Sequence, residues 1–232
     1  MKKEKRIVRG EFALLFIILF SSLGVDLMIR SGSGISAISS VPYSLSEVCP
    51  VFTLGVWTYI FQGILVLSLM VLKKRFVPQY LLSFFVGFAF SIMLDVHEQW
   101  IQFLPQSLFF QIVYFGFSYL LICFGIALSN RCGMPIAPTD LFPKELSCIK
   151  GVAYSRIKMS FDLSCLTATA LITFGFFGHI KGLGIGTILA AFTMGKVIGI
   201  IGDVLDRHIT FVSGIQERKL VKRRIYILGH TH

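Results

Sequence analysis

The stretch GVDLMIRSGSGISAISSVPYSLS at residues 24–46 recurs 101 positions later as GIALSNRCGMPIAPTDLFPKELS at residues 125–147. Eight positions are identical in the two copies, namely Gly24/Gly125, Leu27/Leu128, Arg30/Arg131, Gly32/Gly133, Ile35/Ile136, Pro42/Pro143, Leu45/Leu146 and Ser46/Ser147. A second correspondence follows at a slightly larger offset, in which Phe84, Gly87, Asp95 and Val96 recur as Phe192, Gly195, Asp203 and Val204. The pattern predicts an internal duplication.

Each copy carries three apolar stretches that are long enough to cross a bilayer, which takes roughly 20 residues per helix. They lie at 12–30, 51–72, 78–97, 107–129, 158–178 and 185–206. With 55% hydrophobic and 15% charged residues and a mean hydropathy of +0.78, the chain has too little polar surface for a water-soluble domain. An odd number of spans per copy turns the second copy upside down. We therefore predict an all-α polytopic membrane protein, with six transmembrane helices in two inverted three-helix repeats.

The basic residues predict the orientation of these spans. They cluster before the first span, between the second and third, between the fourth and fifth, and after the sixth, whereas the opposite loops carry only Arg30 and Lys181. We expect a protein of the plasma membrane. By the positive-inside rule, both of its termini are expected on the cytoplasmic side. The chain then divides into a basic cytoplasmic N-terminus (1–11), a first repeat (12–106), a second repeat (107–208) and a basic cytoplasmic tail (209–232).

Two further segments, at 35–49 and 136–149, are too short to span the membrane and follow the first and fourth spans. Ser44 with Glu47 has the spacing of a capping box, and Thr139 or Asp140 is suited to cap a helix, so each segment is predicted to contain a short helix. Such helices either dip into the bilayer as re-entrant segments or lie on its surface. The sequence leaves both arrangements open.

Small residues form a stripe on the third and sixth spans. The two stripes are Gly87, Ser91 and Asp95, and Gly195, Gly199 and Asp203, each with a spacing of four. Because small residues let helices approach closely in lipid, we assign the glycines and Ser91 to structure and expect the two spans to pack across the centre of the protein. Asp95 and Asp203 near opposite faces are candidates for gating or ion binding. Gly184 and Gly186 are interpreted as a flexible entrance to the sixth span.

Ionisable or strongly polar side chains at membrane depth are the default candidates for a site. Lys196 lies in the middle of the sixth span, Asp26 in the first and Asp162 in the fifth, and Gln62 in the second span is close to the repeat counterpart of Asp162. Phe88 is the counterpart of Lys196, so symmetry of packing does not demand a lysine there. We expect Lys196 to pair with Asp162 or another acid, or to face an anionic group of a substrate.

Other classes of function lack a signature. The chain has no hydrolase triad, haem ligand pair, zinc-protease helix or nucleotide loop, and its five cysteines lack paired zinc spacing. We expect no enzyme activity, no cofactor, no metal and no disulfide. The net charge of +10 indicates contact with anionic lipid headgroups rather than nucleic acid, with the basic run at 216–224 either on the lipid surface or in solvent. A homo-oligomer is compatible with the sequence.

Three segments, GSGISAISSVPYSL (32–45), GMPIAPTDLFPKEL (133–146) and GLGIGTILAAFTMG (182–195), resemble motifs of the YczE/YyaS/YitT group of bacterial integral membrane proteins. The resemblance covers nearly the whole chain, and it implies the fold more than an activity, since members are largely of unassigned function and often described as permeases. It also implies roles for Asp140, Arg156, Asp162 and the G-x-G-T element at Gly184, Gly186 and Thr187. The chain departs from the pattern at Lys196, where the group usually has proline.

These observations favour a transporter of a small solute, either a secondary transporter or an exporter. Its midplane site is predicted near Gln62, Asp162 and Lys196, with Asp140 and Asp26 as further binding candidates. One alternative is a scaffold or regulator that docks a cytoplasmic enzyme through the basic 131–158 loop and the tail. Another is a substrate-binding membrane subunit driven by a separate ATPase, since the chain has no nucleotide motif of its own.

Overall fold

The computed structural model describes residues 6–212, so the predicted basic run at 216–224 lies outside the described part of the chain. Within it the elements are β1 (Arg6–Arg9), α1 (Gly10–Arg30), α2 (Ala37–Val48), α3 (Leu54–Lys73), α4 (Pro78–Ile101), α5 (Leu108–Ser129), α6 (Pro138–Lys150), α7 (Tyr154–Phe177), α8 (Ile185–His208) and β2 (Ile209–Val212). Six helices, α1, α3, α4, α5, α7 and α8, are long and apolar enough to cross a membrane. The predicted all-α membrane fold with six spans is confirmed.

The order of one long helix, one short helix and two long helices occurs twice, as α1–α4 and as α5–α8. The halves also pack alike, because α1 lies against α4 as α5 lies against α8, and α3 against α4 as α7 against α8. Each short helix packs on the opposite half, α2 on α7 and α6 on α3. The halves are therefore interlocked and do not sit side by side.

The centre of the bundle is the contact between α1 and α5, which is the most extensive helix pair. Gly24 of α1 lies against Ile122 of α5, and Gly125 of α5 lies against Ser21 of α1. The two contacts are exchanged by the 101-residue offset, and the numbering runs in opposite directions along the two helices. Antiparallel, exchangeable contacts are the geometry that an inverted repeat requires.

This arrangement corrects one prediction. The third and sixth spans, now α4 and α8, were expected to meet at the centre, but they are not among the substantial helix pairs of the described residues. The small residues of α4 instead face α3, where Gly87 lies against Gln62 and the Ser91 carbonyl lies beside Gly55. A small-residue stripe indicates close packing, but its sequence does not identify the partner helix.

The two short helices are buried mainly in their N-terminal halves, whereas the end of α6 at residues 148–150 is exposed. Ala37, Ile38, Ser40, Val41, Pro42 and Ser44 are buried in α2, and Pro138, Leu141 and Pro143 in α6. The far end of each is held by an ion pair, Glu47 with Lys181 for α2 and Glu145 with Lys73 for α6. Each short helix therefore packs in part against the helices of the bundle, and its re-entrant position in a bilayer stays a prediction.

The two ends of the described part of the chain, residues 6–9 and 209–212, meet beside each other. Strand β1 pairs in parallel with β2, with Arg6 opposite Ile209 and Arg9 opposite Val212. Because β1 runs directly into α1 and α8 runs directly into β2, the start of the first span and the end of the last are tied together. This strand pair was not predicted from the sequence.

Candidate functional site

A central cavity of about 50 Å³ is lined by residues from all eight helices. The lining comprises Ser21, Val25, Ser36, Ile38, Ser39, Pro42, Thr58, Phe90, Ile122, Ile126, Thr139, Asp140, Lys158 and Met194. The volume is enough for a few water molecules. The mixture of hydroxyl groups, one carboxylate and one ammonium group makes this cavity the candidate functional site.

The lining is organised by the duplication. Five repeat-related pairs contribute to it, four at an offset of 101 and the last at 100: Ser21/Ile122, Val25/Ile126, Ile38/Thr139, Ser39/Asp140 and Thr58/Lys158. The cavity is therefore lined by corresponding positions of the two halves. Binding sites of inverted-repeat transporters commonly lie between the repeats.

The N-termini of the two short helices α2 and α6 border the cavity. Ser36 is the N-cap residue of α2 and Ala37 its first residue, whereas α6 follows the N-cap residue Ala137. Neither N-terminus is capped by a side-chain hydrogen bond, so the predicted capping by Ser44, Thr139 or Asp140 is wrong. Uncapped N–H groups and the helix dipole give each N-terminus a partial positive charge directed at a ligand.

The strongest charge pair beside the cavity joins Lys158 to Asp162. The Lys158 ammonium donates to both carboxylate oxygens of Asp162 at 2.7 Å, and the two residues are 3% and 1% exposed. Two predictions are corrected here. Lys158 belongs to the first turns of α7 and not to a cytoplasmic loop, and the partner of Asp162 is Lys158 and not Lys196.

The corresponding positions of the first half are neutral. Positions 58, 62, 65 and 69 of α3 are buried, and so are positions 158, 162, 165 and 169 of α7, which fixes the offset between these helices at 100. Thr58 therefore occupies the position of the first half that corresponds to Lys158, and Gln62 occupies the position that corresponds to Asp162. The Gln62 side chain is fully buried, and its amide has no hydrogen-bond partner in the part of the chain that the structure describes.

Hydrogen bonds between the halves surround this centre. Ser40 of α2 and Thr169 of α7 share a buried hydroxyl–hydroxyl bond of 2.8 Å. At the start of α8, the hydroxyl group of Thr187 accepts from the backbone N–H of Ile35 at 2.8 Å, and Gly186 N–H donates to the Ser33 carbonyl at 2.9 Å. The backbone of Gly184 also lies against Ser33. The G-x-G-T element thus positions the loop that leads into α2.

Lys196 lies away from the cavity, and so do two residues of the neighbouring small-residue stripe, Gly199 and Asp203. Lys196 is exposed on the outer surface of α8, and within residues 6–212 it forms no ion pair. Gly199 faces open space and Asp203 is exposed, so the expectation that Gly199 packs against another helix is wrong. Gly195 is buried, with ordinary contact distances to Ser155. Helix α8 therefore turns most of this stripe outward.

Asp95 joins two neighbouring helices. One carboxylate oxygen accepts from the Thr53 hydroxyl group and the other from the Gly55 backbone N–H, both at 2.9 Å. These donors lie at the first turn of α3, so Asp95 of α4 caps the N-terminus of α3. This contact gives Asp95 a structural role, whereas its predicted role in gating or ion binding stays a prediction.

Asp26 is absent from the lining of the central cavity and lines a second one. This outer vestibule, as we term the cavity of about 420 Å³ bounded by α1, α2, the 50–54 segment and the end of α4, lies one helical turn from the centre along α2 and α3. Tyr43 and Leu54 line the vestibule, and Ser39 and Thr58 line the centre. Of the predicted binding residues, Asp140 thus lines the central cavity and Asp26 the vestibule, whereas Lys196 lines neither.

The predicted basic docking loop is largely engaged within the protein. Arg131 pairs with Asp206 at 2.9 Å, Lys144 donates to the Asn130 carbonyl at 3.0 Å, and Lys158 is buried. Burial also lowers the pKa of Lys144. Only Lys150 and Arg156 of this set are exposed.

Sequence reasoning missed Lys158, the cation that lines the cavity. A signal was present, because Lys158 and Asp162 have the i, i+4 spacing of a helical ion pair. Extending the repeat alignment from Gln62/Asp162 by one turn would have paired Lys158 with Thr58. The hydropathy reading instead began the fifth span at residue 158 and assigned the lysine to the loop.

Comparison with known proteins gives one family. A family model described as "Family of unknown function (DUF6198)" matches residues 8–203. The chain is also 26% identical over 197 residues to YyaS of Bacillus subtilis (strain 168), a protein described as uncharacterized, covering 82% of this chain and 91% of the relative. No solved structure matches the chain.

Proposed function

The chain belongs to the DUF6198 family, and from its central cavity we propose that it transports a small polar solute across the plasma membrane. The observation that carries this proposal is the placement of one cavity between two interlocked halves, with an uncapped helix N-terminus from each half bordering it. Re-entrant helix ends and a site between repeats are the elements from which alternating-access transporters are built.

The charges of the cavity suit a polar solute. Two helix N-termini and Lys158 supply positive potential, and Asp140 and Asp162 supply negative charge. A solute with polar or charged groups can exchange its hydration for these partners, whereas an apolar molecule leaves them unpaired. We assign Lys158 and Asp140 to direct contact with the solute and Asp162 to holding Lys158 in place.

The volume of the cavity implies a closed conformation. About 50 Å³ admits only a few water molecules, so a larger solute requires the halves to move. The orientation that we propose places both termini in the cytoplasm, in line with the positive-inside distribution of Lys and Arg and with the pairing of β1 and β2 at one face. The vestibule then opens to the outside.

The test is solute flux through the protein alone. Metabolites that differ between deletion and overexpressing cells identify the solutes to try, and liposomes containing the purified full-length chain then measure uptake. We expect flux with wild-type protein. Absence of flux for every such solute, together with a stable complex with a cytoplasmic enzyme or an ATPase, would contradict autonomous transport.

A matched pair of variants connects flux to the cavity. The double variant Lys158→Thr/Asp162→Gln gives the second half the residues of the first half and removes both buried charges together. We expect it to fold and to lose about tenfold or more of the transport rate, since an ionic contact with the solute is lost. Lys196→Ala, an exposed lysine of similar depth, is the control and should transport near the wild-type rate.

A further inference from the structure

The outer vestibule contains a buried carboxyl group, that of Asp26, which no basic side chain within residues 6–212 pairs with. Asp26 is 4% exposed, it lines the cavity of about 420 Å³, and its Oδ2 atom has no hydrogen-bond partner within residues 6–212. It forms no ion pair in this part of the chain either. An isolated carboxylate at membrane depth costs several kcal/mol, so its retention beside a cavity points to a ligand.

The neighbouring charges reinforce this negative potential. Glu98, which also lines the vestibule, and Asp95 both act on Asp26 by charge repulsion. Glu47 is the third acidic residue of the lining, and it is paired with Lys181. Asp26 and Glu98 therefore remain without an ion-pair partner within residues 6–212.

One cation, Arg30, shares the lining. Its guanidinium donates to the Leu104 carbonyl in the loop after α4. It is one helical turn from Asp26 but does not come within ion-pair distance of it. Arg30 thus fastens the rim of the vestibule and leaves the Asp26 carboxylate available to a ligand.

The walls of the vestibule indicate the size and chemistry of the ligand. Tyr43 and Phe52 present aromatic surface, and Ile29 and Ile101 present aliphatic surface. Within the described residues no three His, Cys, Asp or Glu side chains are grouped closely enough to hold a metal ion. A cavity of this volume with one anionic anchor and aromatic walls is suited to an organic cation several atoms across.

We infer that the outer vestibule binds a small organic cation, an amine or quaternary ammonium compound, with Asp26 as its anionic anchor and with Tyr43 and Phe52 as aromatic contacts. The inference goes beyond the central cavity by adding a second binding site at the outer face. It rests on the proposed function only for the step in which the bound cation moves onward, because binding itself requires no transport.

Tryptophan fluorescence measures this binding directly. The chain has two tryptophans, Trp57 and Trp100, and the Trp57 ring packs edge-on against Phe52 with 5.7 Å between ring centroids. In the full-length Trp100→Phe variant, Trp57 reports on the vestibule alone. Purified protein in lipid nanodiscs is titrated with tetramethylammonium chloride, and sodium chloride of equal ionic strength is the reference.

We expect a saturable change with tetramethylammonium and none with sodium. Asp26→Asn should weaken the apparent affinity by about tenfold or more, because the amide keeps the shape but removes the charge. Glu98→Gln, at an exposed position that cannot disturb the core, should weaken it by a smaller factor. Asp203→Asn, an exposed carboxylate outside the vestibule, is the matched control and should bind as the parent does.

Three results would overturn the inference: no saturable change with the parent protein, equal affinity in the Asp26→Asn variant, or the same saturation with sodium alone. Thermal unfolding of each variant shows whether it is folded, and if Asp26→Asn is not, the Glu98→Gln and Asp203→Asn comparison decides. The liposome flux assay is separate. Binding without flux refutes transport but not the vestibule site, and flux without binding refutes the vestibule site but not transport.

Discussion

The two halves share one backbone plan and differ in the charges that they bring to the centre. The first half contributes Ser39, Thr58 and Gln62, and at the corresponding positions the second contributes Asp140, Lys158 and Asp162. Some residues are the same at corresponding positions of both halves, such as Pro42 in α2 and Pro143 in α6, and they preserve the shared backbone arrangement. The comparison teaches that corresponding positions of both halves line the cavity, whereas its ionisable groups, Asp140 and Lys158, come from the second half alone.

The comparison fails altogether if the halves are not inverted. Pro50 and Lys150, both exposed, follow or end the short helices α2 and α6 at an offset of 100. With the native cysteines replaced, Pro50→Cys should react with a membrane-impermeant maleimide in intact cells, and Lys150→Cys only after permeabilisation. Labelling of both positions from the same side would refute the inverted arrangement.

The next largest effect concerns the buried charges. Lys158→Thr alone leaves Asp162 buried without its partner and should destabilise the protein by about 3 kcal/mol, measured by unfolding in a graded detergent mixture. The double variant with Asp162→Gln should recover most of that loss. Thr58→Val at the corresponding position of α3 is the control, for which we expect about 1 kcal/mol or less. Equal losses of stability for Lys158→Thr and Thr58→Val would show that the difference in charge between the halves does not affect the free energy of unfolding.

A smaller effect distinguishes two glycines that the repeat relates. A Cβ atom at Gly87 would overlap the side-chain oxygen of Gln62, whereas one at Gly195 would meet Ser155 at 3.4 Å, an ordinary contact. Gly87→Ala should therefore cost about 1–3 kcal/mol, and Gly195→Ala should change stability by less than about 0.5 kcal/mol, in the same unfolding assay. If both substitutions cost the same, the two helices are packed more alike than the structure indicates.

Much of the fold could be predicted because hydropathy and duplication are both properties of long segments. The predicted spans differ from the helices most at the end of α4, which is Ile101 and not residue 97, and at the start of α7, which is Tyr154 and not residue 158. The side of each helix that points into the bundle could not be predicted. A helix in lipid is apolar on all sides, so the sequence of α8 does not reveal that Lys196 and Gly199 point outward.

The candidate site was predicted only in part. Gln62, Asp140 and Asp162 lie at or beside the central cavity, because rarity of polar groups at membrane depth is visible in the sequence. Lys158 was missed because its charge matched the cations of the adjoining loop. Assigning Asp26 to its own cavity required the tertiary structure, since the vestibule is formed by segments distant along the chain.

The strand pair at the chain ends limits how the bundle can assemble and move. Arg6 and Ile209 are far apart in the chain, so their pairing can form only after the sixth span has been synthesised. Once paired, the strands hold the start of α1 beside the end of α8 without an intervening loop, because Arg9 continues into Gly10 and His208 into Ile209. In the transport that we propose, any opening at that face therefore has to occur between the other helices.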